Sequence, residues 1–357
     1  MNQYIMKTID KSKPVLVTGA TGYVAGWLVK KLLEEGLTVH AAVRNPDDKG
    51  KLKYLDEIAQ NTPGEIRYFR ADLLEEGSYA EAMAVCELVF HTASPFVTDV
   101  KDPQKDLINP AKLGTRNVLE QANQTESVKR VVLTSSVAAI YGDNADLNHA
   151  PGKVFTEEVW NTSSSLEHQP YSYSKTLAEK EAWKICEEQL QWELVVINPS
   201  LVIGPAINPT QVTSESFRII QPFGDGKLKM GAPKLGMGLV DVRDVAEAHF
   251  LAGFKPDASG RYIISGHNTW FIDMAKALQP KYGDKYPIPK KEMPKWLIWL
   301  MGPMINKAVT RKYISRNMGL PFVADNSKSI NELKMNYRPV EESLNEMFQQ
   351  LIDNGLI

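Results

Sequence analysis

Two side chains, four positions apart, are of the types needed to move a proton to or from a substrate oxygen. Tyr171 and Lys175 open a segment with helical periodicity that extends to about Leu190. Positions i and i+4 of a helix share one face, so the phenol and the ammonium are expected to point at the same spot. A phenol with a pKa of about 10 is a poor acid–base catalyst at neutral pH, and a nearby ammonium is expected to lower that pKa. The pair therefore predicts a general acid–base site.

The same spacing occurs a second time, and there it does not predict a site. Tyr286 and Lys290 are separated by a stretch that contains Pro287 and Pro289. Proline lacks a backbone N–H and restricts the residue before it, so two prolines exclude a regular helix here. The second pair cannot share a helix face, and the first pair remains the candidate.

A parallel sheet is expected to position this pair. Amphipathic helical patterns separate six short apolar, β-branched runs, which is typical of βαβ units. The runs are Val15–Thr18, Thr38–Val43, Ile66–Arg70, Leu88–His91, Arg130–Thr134 and Leu194–Asn198. We predict an α/β fold, a doubly wound parallel (Rossmann) sheet, over residues 1–200, rejoined by a strand and helix within 238–264. Residues 201–237 and 265–357, with irregular patterns, are expected to form a smaller interleaved substrate lobe.

A glycine-rich turn follows the first predicted strand directly. Gly19 permits a tight turn, and Gly22 lets the backbone approach a pyrophosphate. The N-terminus of the next helix would direct its free N–H groups at that anion. We expect a dinucleotide to bind along this turn, at Gly19, Thr21, Gly22, Tyr23 and Val24. The alternative is a tight βα turn that binds no ligand.

The end of the second predicted strand indicates which dinucleotide binds. NAD-binding sheets usually carry Asp or Glu there, which accepts a hydrogen bond from the ribose 2′-hydroxyl. This chain carries Arg44, and Lys51 follows downstream. A guanidinium can bind a 2′-phosphate with two hydrogen bonds, whereas a carboxylate would repel it. We therefore predict NADP(H); alternatively, both cations are solvated surface charges.

A third catalytic group is expected at the carboxyl edge of the sheet, where open α/β sheets bind their ligands. The fifth predicted strand ends in Thr134, Ser135 and Ser136. Neighbouring residues on a strand face opposite ways, so one of the two serines should face the cleft. Composition alone does not distinguish them.

Bulk composition excludes several function classes. The 357 residues have a net charge of −2, so no basic field is present to bind nucleic acid. Cys86 and Cys186 are too few for a disulfide framework, and the six histidines lack ligand spacing, so no metal site is predicted. The first residues lack an apolar signal-peptide core, which favours a cytoplasmic protein.

One apolar run complicates this assignment. Residues 296–305 read WLIWLMGPMI and are flanked by lysine and arginine. A spanning helix needs about 20 apolar residues, so this run is too short. We expect a buried helix or a flap over the substrate cleft; the alternative is a weak contact with a membrane surface.

Several motifs together resemble the extended short-chain dehydrogenase/reductases. The likeness is strongest to the dihydroflavonol reductase-like branch, which includes cinnamoyl-CoA reductases and yeast methylglyoxal/isovaleraldehyde-type reductases. The matching stretches are VTGATGYVAGWLVKKLL at 17–33, AVRNP at 42–46, ADLLEEGSY at 71–79, VFHTASP at 89–95, RVVLTSSVAAI at 130–140, YSYSKTLAEKEAW at 171–183 and NPSLVIGP at 198–205.

This resemblance implies roles for individual residues. Ser136 would hydrogen-bond the substrate carbonyl, Tyr171 would donate the proton, and Lys175 would also hold the nicotinamide ribose. The other cofactor contacts that it implies are Arg44, Lys51, Asp72, Leu73, Thr92, Ala93, Ser94, Thr134, Pro199 and Ser200. Phe96 and Tyr141 would line the substrate site beside Ser136.

Two departures bear on the substrate. The cinnamoyl-CoA reductases carry NWYCYGK where residues 169–175 read QPYSYSK, which argues against a cinnamoyl-CoA substrate. The asparagine that recognises flavonoids is replaced by Tyr141, so dihydroflavonol recognition is also unsupported.

The expected function is an NADPH-dependent reductase that transfers a hydride to the carbonyl of a small aldehyde or ketone. The alternatives are an NAD-dependent nucleotide-sugar epimerase or dehydratase, a membrane-associated hydroxysteroid-type dehydrogenase, and a non-catalytic nucleotide sensor. The protein would act as a monomer or a homodimer.

Overall fold

Seven parallel strands form the central sheet, and the computed structural model describes residues 7–94, 100–208, 214–305 and 308–357. The strands are β1 Val15–Thr18, β2 Thr38–Val43, β3 Glu65–Arg70, β4 Leu88–His91, β5 Arg130–Thr134, β6 Glu193–Pro199 and β10 Gly260–Ile264. Their spatial order is β10-β6-β5-β4-β1-β2-β3. The order reverses between β1 and β4, which is where doubly wound sheets bind ligands. All six predicted strands are confirmed, with small differences at their ends.

Helices cover both faces of this sheet because successive strand residues point to opposite sides. On one face Val15 and Val17 pack against α1 (Tyr23–Glu34), α2 (Lys49–Gln60) and α7 (Val242–Phe254). On the other face Leu16 belongs to a second core with α3 (Ala80–Met83), α4 (Asn109–Gln124) and α5 (Pro170–Glu187). Strands buried on both faces account for the nearly continuous apolar runs in the sequence.

A smaller lobe is built around a three-stranded sheet. β9 (Gly236–Asp241) lies between β7 (Leu201–Ile203), which is parallel to it, and β11 (His267–Trp270), which is antiparallel. The short strands β8 (Ala232–Pro233) and β12 (Glu292–Met293) pair separately. The lobe's helices are α6 Glu215–Ile220, α8 Phe271–Tyr282, α9 Lys295–Ile305, α10 Arg311–Asn317 and α11 Val340–Asp353.

The prediction that a strand starting at Gly238 rejoins the main sheet is wrong. That strand is β9 of the small sheet, and the chain returns to the main sheet through α7 and β10 instead. Glycine permits this close packing, because a Cβ on Gly238 would lie 2.6 Å from the ring of Phe322. The domain boundaries themselves stay a prediction.

The apolar run at 296–305 is helical but not buried. Of the residues in α9, Ile298 alone is buried, so the expectation of a buried helix is wrong. Six large apolar side chains of this helix are exposed: Trp296, Trp299, Leu300, Met301, Met304 and Ile305. Among the described residues, no helix is long and apolar enough to cross a membrane.

Candidate active site

The carboxyl ends of the parallel strands bring the predicted site residues to one edge of the sheet. β1 leads into Gly19, β2 into Arg44, β4 into Ser94, β5 into Ser136 and β6 into Ser200. Because the strands are parallel and in register, segments far apart in sequence meet at this edge. Strand periodicity and connectivity therefore account for where the site lies.

The first turn of α5 presents Tyr171 and Lys175 on one face. Pro170 occupies the start of the helix, where its fixed backbone angle is favourable, and Gln169 before it has a left-handed backbone. The Lys175 ammonium lies 6.0 Å from the centre of the Tyr171 ring. It also donates a hydrogen bond to Ser94 Oγ at 3.1 Å, which connects α5 to the end of β4. The predicted shared face is confirmed; the catalytic roles stay predictions.

The prediction that the lysine lowers the phenol's pKa is wrong in this structure. Desolvation raises the pKa of Tyr171 to about 12, and the carboxylate of Glu215 adds to the rise. The residue as a whole is nevertheless 54% exposed. Tyr171 is therefore a protonated phenol at neutral pH, and in this structure it is a weaker acid than a free tyrosine side chain.

The pKa of Lys175 shifts in the opposite direction to that of Tyr171. Desolvation lowers the pKa of Lys175 to about 8, and the nearby Glu179 carboxylate opposes this fall. His91, buried at the end of β4, carries no competing charge, because burial and the Lys175 ammonium lower its pKa to about 3. Lys175 is thus mostly cationic at neutral pH, but it loses its proton near pH 8.

The two serines after β5 have different environments. Ser135 is buried and donates its hydroxyl to Glu179 Oε2. Ser136 caps a short 3₁₀ turn, where its Oγ accepts a hydrogen bond from the Ala138 backbone N–H at 3.1 Å. No described group accepts a hydrogen bond from the Ser136 hydroxyl, which leaves it available as a donor. These contacts favour Ser136 as the serine that faces a substrate.

The glycine-rich turn is tight and closely packed, and it leads directly into a helix. Gly19 has a positive φ of 63°, and a Cβ at this position would lie 3.1 Å from Ala93. Gly22 precedes α1, and no side chain caps that helix, so its first N–H groups are free to bind an anion. The Ala93 N–H donates to Thr18 Oγ1, and Thr92 Oγ1 donates to the Thr18 carbonyl, which holds the two loops together.

Tyr23 has a structural contact that its prediction as a cofactor residue did not include. Its hydroxyl donates to the Gly204 carbonyl at 2.6 Å, and its ring meets Phe217 edge-on. This side chain therefore joins the start of α1 to the smaller lobe. Thr21 and Val24 lie beside it, partly buried at the helix start.

The two cations predicted to bind a 2′-phosphate differ in their partners. Arg44 is exposed after β2, and its guanidinium makes no hydrogen bond or ion pair with any described residue. Lys51 lies in the first turn of α2, where its ammonium pairs with Asp48 at 3.2 Å. Arg44 is therefore ready to bind an anion, whereas Lys51 would have to share its charge with Asp48.

The remaining predicted cofactor residues line the same edge. Asp72 follows β3 and caps its own turn, accepting from the Leu74 N–H, and Leu73 packs against Gly114 of α4. Thr134 hydrogen-bonds His249 at 2.6 Å, so its hydroxyl is committed internally. Pro199 and Ser200 are buried at the end of β6.

The predicted substrate residues are described only in part. Tyr141 stacks on Phe155 with ring centres 4.8 Å apart and also contacts Phe322, so it belongs to an aromatic cluster. Phe96 lies outside the described residues. No cluster of three or more side chains that could bind a metal occurs in the described part of the chain.

Sequence reasoning missed Glu179 and Asn198. The Glu179 carboxylate is buried and accepts hydrogen bonds from Ser135, Asn198 and Arg261. Its spacing of four residues from Lys175 was a visible signal, because i and i+4 positions share a face. Asn198 gave no comparable signal, since an asparagine within a buried strand has many structural explanations.

The fold and the arrangement of this edge define an extended short-chain dehydrogenase/reductase. The chain matches the model of the NAD dependent epimerase/dehydratase family over residues 15–265, and it belongs to that family. It is 40% identical over 299 residues to a putative anthocyanidin reductase of Ginkgo biloba, covering 80% of this chain and 84% of the relative. It is 36% identical to cinnamoyl-CoA reductase CAD2 of Medicago truncatula, covering 97% and 98% of the two chains.

A solved structure shares the whole architecture. Yeast methylglyoxal/isovaleraldehyde reductase Gre2, crystallised with NADPH, superposes with a TM-score of 0.76 at 28% identity. The likeness covers 96% of this chain and 100% of that one. The recognition of the reductase-like branch from sequence motifs is thereby confirmed.

Proposed function

We propose that this protein is an NADPH-dependent reductase that transfers a hydride to the carbonyl carbon of a small aldehyde or ketone. The observation that carries the proposal is that α5, with Tyr171 and Lys175 on one face, packs at the carboxyl edge of the dinucleotide-type sheet against the 3₁₀ turn that Ser136 caps. The reductase names of its relatives, and the NADPH in the similar yeast structure, support the same reaction class.

The residues divide the chemistry among themselves. NADPH would supply the hydride when bound. Ser136 has a free hydroxyl hydrogen to donate to the carbonyl oxygen, which stabilises the negative charge that develops there. Tyr171, a protonated phenol at neutral pH, would give that oxygen its proton. Lys175, whose ammonium lies 6.0 Å from the centre of the Tyr171 ring, would hold the nicotinamide ribose beside the phenol.

The cofactor assignment depends on the ends of β1 and β2. The uncapped N-terminus of α1 and the close approach of Gly19 to Ala93 suit a pyrophosphate. The guanidinium of Arg44 suits a 2′-phosphate. Arg44 occupies the position directly after β2, where NAD-binding sheets usually have the Asp or Glu that binds the ribose 2′-hydroxyl. These features favour NADPH over NADH and disfavour an NAD-recycling epimerase.

A consumption assay tests the proposal. The purified protein would be mixed with NADPH or NADH and a panel of aldehydes, α-dicarbonyls, flavonoids and ketosteroids. We expect turnover of at least one carbonyl class, with NADPH preferred by about tenfold or more, since one charge-assisted contact contributes about 1.5–3 kcal/mol. A preference for NADH, or NADPH binding without turnover across the panel, would contradict the proposal.

We also propose that the exposed face of α9 rests on an anionic lipid surface. Met304 is 87% and Trp296 68% exposed, so the apolar side of this helix faces away from the protein. Residues 288–318 contain seven Lys or Arg and one Glu, whereas the chain as a whole has a net charge of −2. Arg311 lies over the Trp299 ring at 4.4 Å, which places a cation beside the apolar face. Apolar side chains rimmed by cations match lipid tails below anionic headgroups.

Vesicle co-sedimentation tests the contact. We expect the protein to bind vesicles that contain phosphatidylserine and to remain in solution with pure phosphatidylcholine. A Trp296→Ser, Met304→Ser double variant should lose this binding, and the exposed Leu190→Ser variant, far from the basic segment in sequence, is the matched control. Unchanged binding by the double variant, or a stable dimer that this variant converts to monomer, would refute the assignment.

A further inference from the structure

Glu179 is a buried carboxylate on the catalytic helix, and the proposed reaction gives it no task. It lies one helical turn after Lys175 and is 1% exposed. A carboxylate that is removed from water must be paired and hydrogen-bonded to remain charged. Glu179 meets that requirement, because it accepts hydrogen bonds from Ser135, Asn198 and Arg261.

Both oxygens of the carboxylate are occupied, by groups from three other segments. Oε2 accepts from the Ser135 hydroxyl, at the end of β5, and from Asn198 Nδ2, in β6, at 2.8 Å. Oε1 accepts from Arg261 Nε, in β10, at 2.6 Å. The three outer strands on this side of the sheet therefore converge on one side chain of α5.

These contacts extend to the reacting groups. Asn198 Nδ2 also donates to the backbone carbonyl of Ser136 at 3.1 Å, which fixes the residue that would meet the substrate. Arg261 is itself held in place, because its Nη1 donates to the carbonyls of Glu157 and Val159 at 2.7 Å each. Glu179 therefore connects the Lys175 helix to the Ser136 turn through a rigid network.

We propose that Glu179 is a positioning residue that fixes the Ser136 turn against α5 and keeps the Lys175 ammonium charged. The inference rests on the proposed reductase function for its catalytic meaning, but the contacts themselves do not depend on it. Positions i and i+4 of a helix are neighbours, so the Glu179 carboxylate stabilises a cation at Lys175.

The other charged groups near this pair act differently. His91 faces Lys175 from β4 but is neutral, since its pKa is about 3. Glu215, on α6, raises the pKa of Tyr171 rather than that of Lys175. Glu179 is the carboxylate that opposes the desolvation of the lysine.

The test measures the pKa of the Lys175 amine directly, without turnover. Acetic anhydride labels deprotonated amines, so peptide mass spectrometry of labelling at a series of pH values reports the pKa of this one lysine. In Glu179→Gln we expect the value to fall from about 8 by about one unit, the size of a nearby charge–charge interaction. The alkaline limb of kcat/KM should move to lower pH by the same amount, and kcat should fall about tenfold or more.

Glu181→Gln is the matched control. Glu181 lies on the same helix, is also largely buried, and pairs with Arg116 rather than with the site. It should leave the Lys175 pKa and the pH profile unchanged. Glu179→Asp keeps the charge, and we expect it to restore the amine pKa and part of kcat.

Loss of the carboxylate leaves the Arg261 guanidinium buried without its anion, which is expected to lower the melting temperature. A Glu179→Gln, Arg261→Met double variant removes both charges and is measured in parallel, so that instability of the single variant does not decide the outcome. A Lys175 pKa that stays within about 0.3 units of wild type in these variants would overturn the inference. If the pKa moves but the wild-type protein reduces no carbonyl, the proposed function fails and the positioning role stands.

Discussion

The replacement Arg44→Gln provides a direct test of the cofactor assignment. Arg44 is exposed and its guanidinium makes no hydrogen bond or ion pair with another described residue, so its loss breaks no internal ion pair and should not change stability. A hydrogen bond to a charged group contributes about 1.5–3 kcal/mol. Since 1.4 kcal/mol corresponds to a factor of ten, the Kd for NADPH should rise by about 10- to 100-fold. The Kd for NADH, which lacks the 2′-phosphate, should change by less than about threefold.

Binding titrations by protein fluorescence or calorimetry measure both constants without a substrate. Lys51→Gln is the informative control, because the Lys51 ammonium already pairs with Asp48 at 3.2 Å. Loss of this ammonium should raise the Kd for NADPH by a smaller factor, within about fivefold, because the charge is exposed and already paired. Equal losses of NADPH and NADH affinity in Arg44→Gln would refute the 2′-phosphate assignment. A larger effect at Lys51 than at Arg44 would assign the phosphate to α2 instead.

Three further outcomes are expected. Tyr171→Phe should lower kcat by about 10²–10⁴-fold while the Kd for NADPH stays near its wild-type value, and a variant that retains a tenth of kcat would exclude Tyr171 as the proton donor. The kcat/KM for carbonyl reduction should be level at neutral pH and fall above pH 8, because Lys175, with a pKa of about 8, is then deprotonated. Lys175→Arg should move this alkaline fall to higher pH. An unchanged alkaline fall in this variant would assign it to another group. Arg130→Leu should lower the free energy of unfolding by about 3–5 kcal/mol, because the fully buried guanidinium pairs with Glu193 and binds three backbone carbonyls through Nη1. Denaturant unfolding curves measure this loss of stability. A loss below about 1 kcal/mol would contradict the prediction.

The main sheet could be predicted because its strands, except the edge strand β3, are largely buried on both faces. Such strands have mostly apolar sequences, and the predicted runs at 15–18, 38–43 and 130–134 match the observed strands to the residue. Parallel connectivity then places their carboxyl ends at one edge. The location of the site therefore follows from local patterns alone.

The smaller lobe could not be predicted in the same way. β9 contains glycines because residues far away in sequence occupy the space where a side chain would lie. The ring of Phe322, for example, packs directly against Gly238. Its apolar residues would suit a strand of either sheet, so the pattern predicted a strand but assigned it to the wrong sheet. The exposure of α9 could not be predicted either. An apolar run is usually buried, and its sequence does not show whether another part of the chain packs against it.

The spacing of Tyr171 and Lys175 correctly predicted a shared helix face and wrongly predicted a depressed phenol pKa. Spacing reports that two groups are close, whereas a pKa depends on everything that replaces water around each of them. Desolvation disfavours the phenolate and the ammonium alike, so it raises the pKa of Tyr171 to about 12 and lowers that of Lys175 to about 8. The two shifts separate two pKa values that are nearly equal in free tyrosine and lysine side chains, so the phenol holds its proton more firmly than the amine does. At neutral pH the phenol still holds its proton and the amine its charge, and this is the state in which a carbonyl oxygen can be protonated.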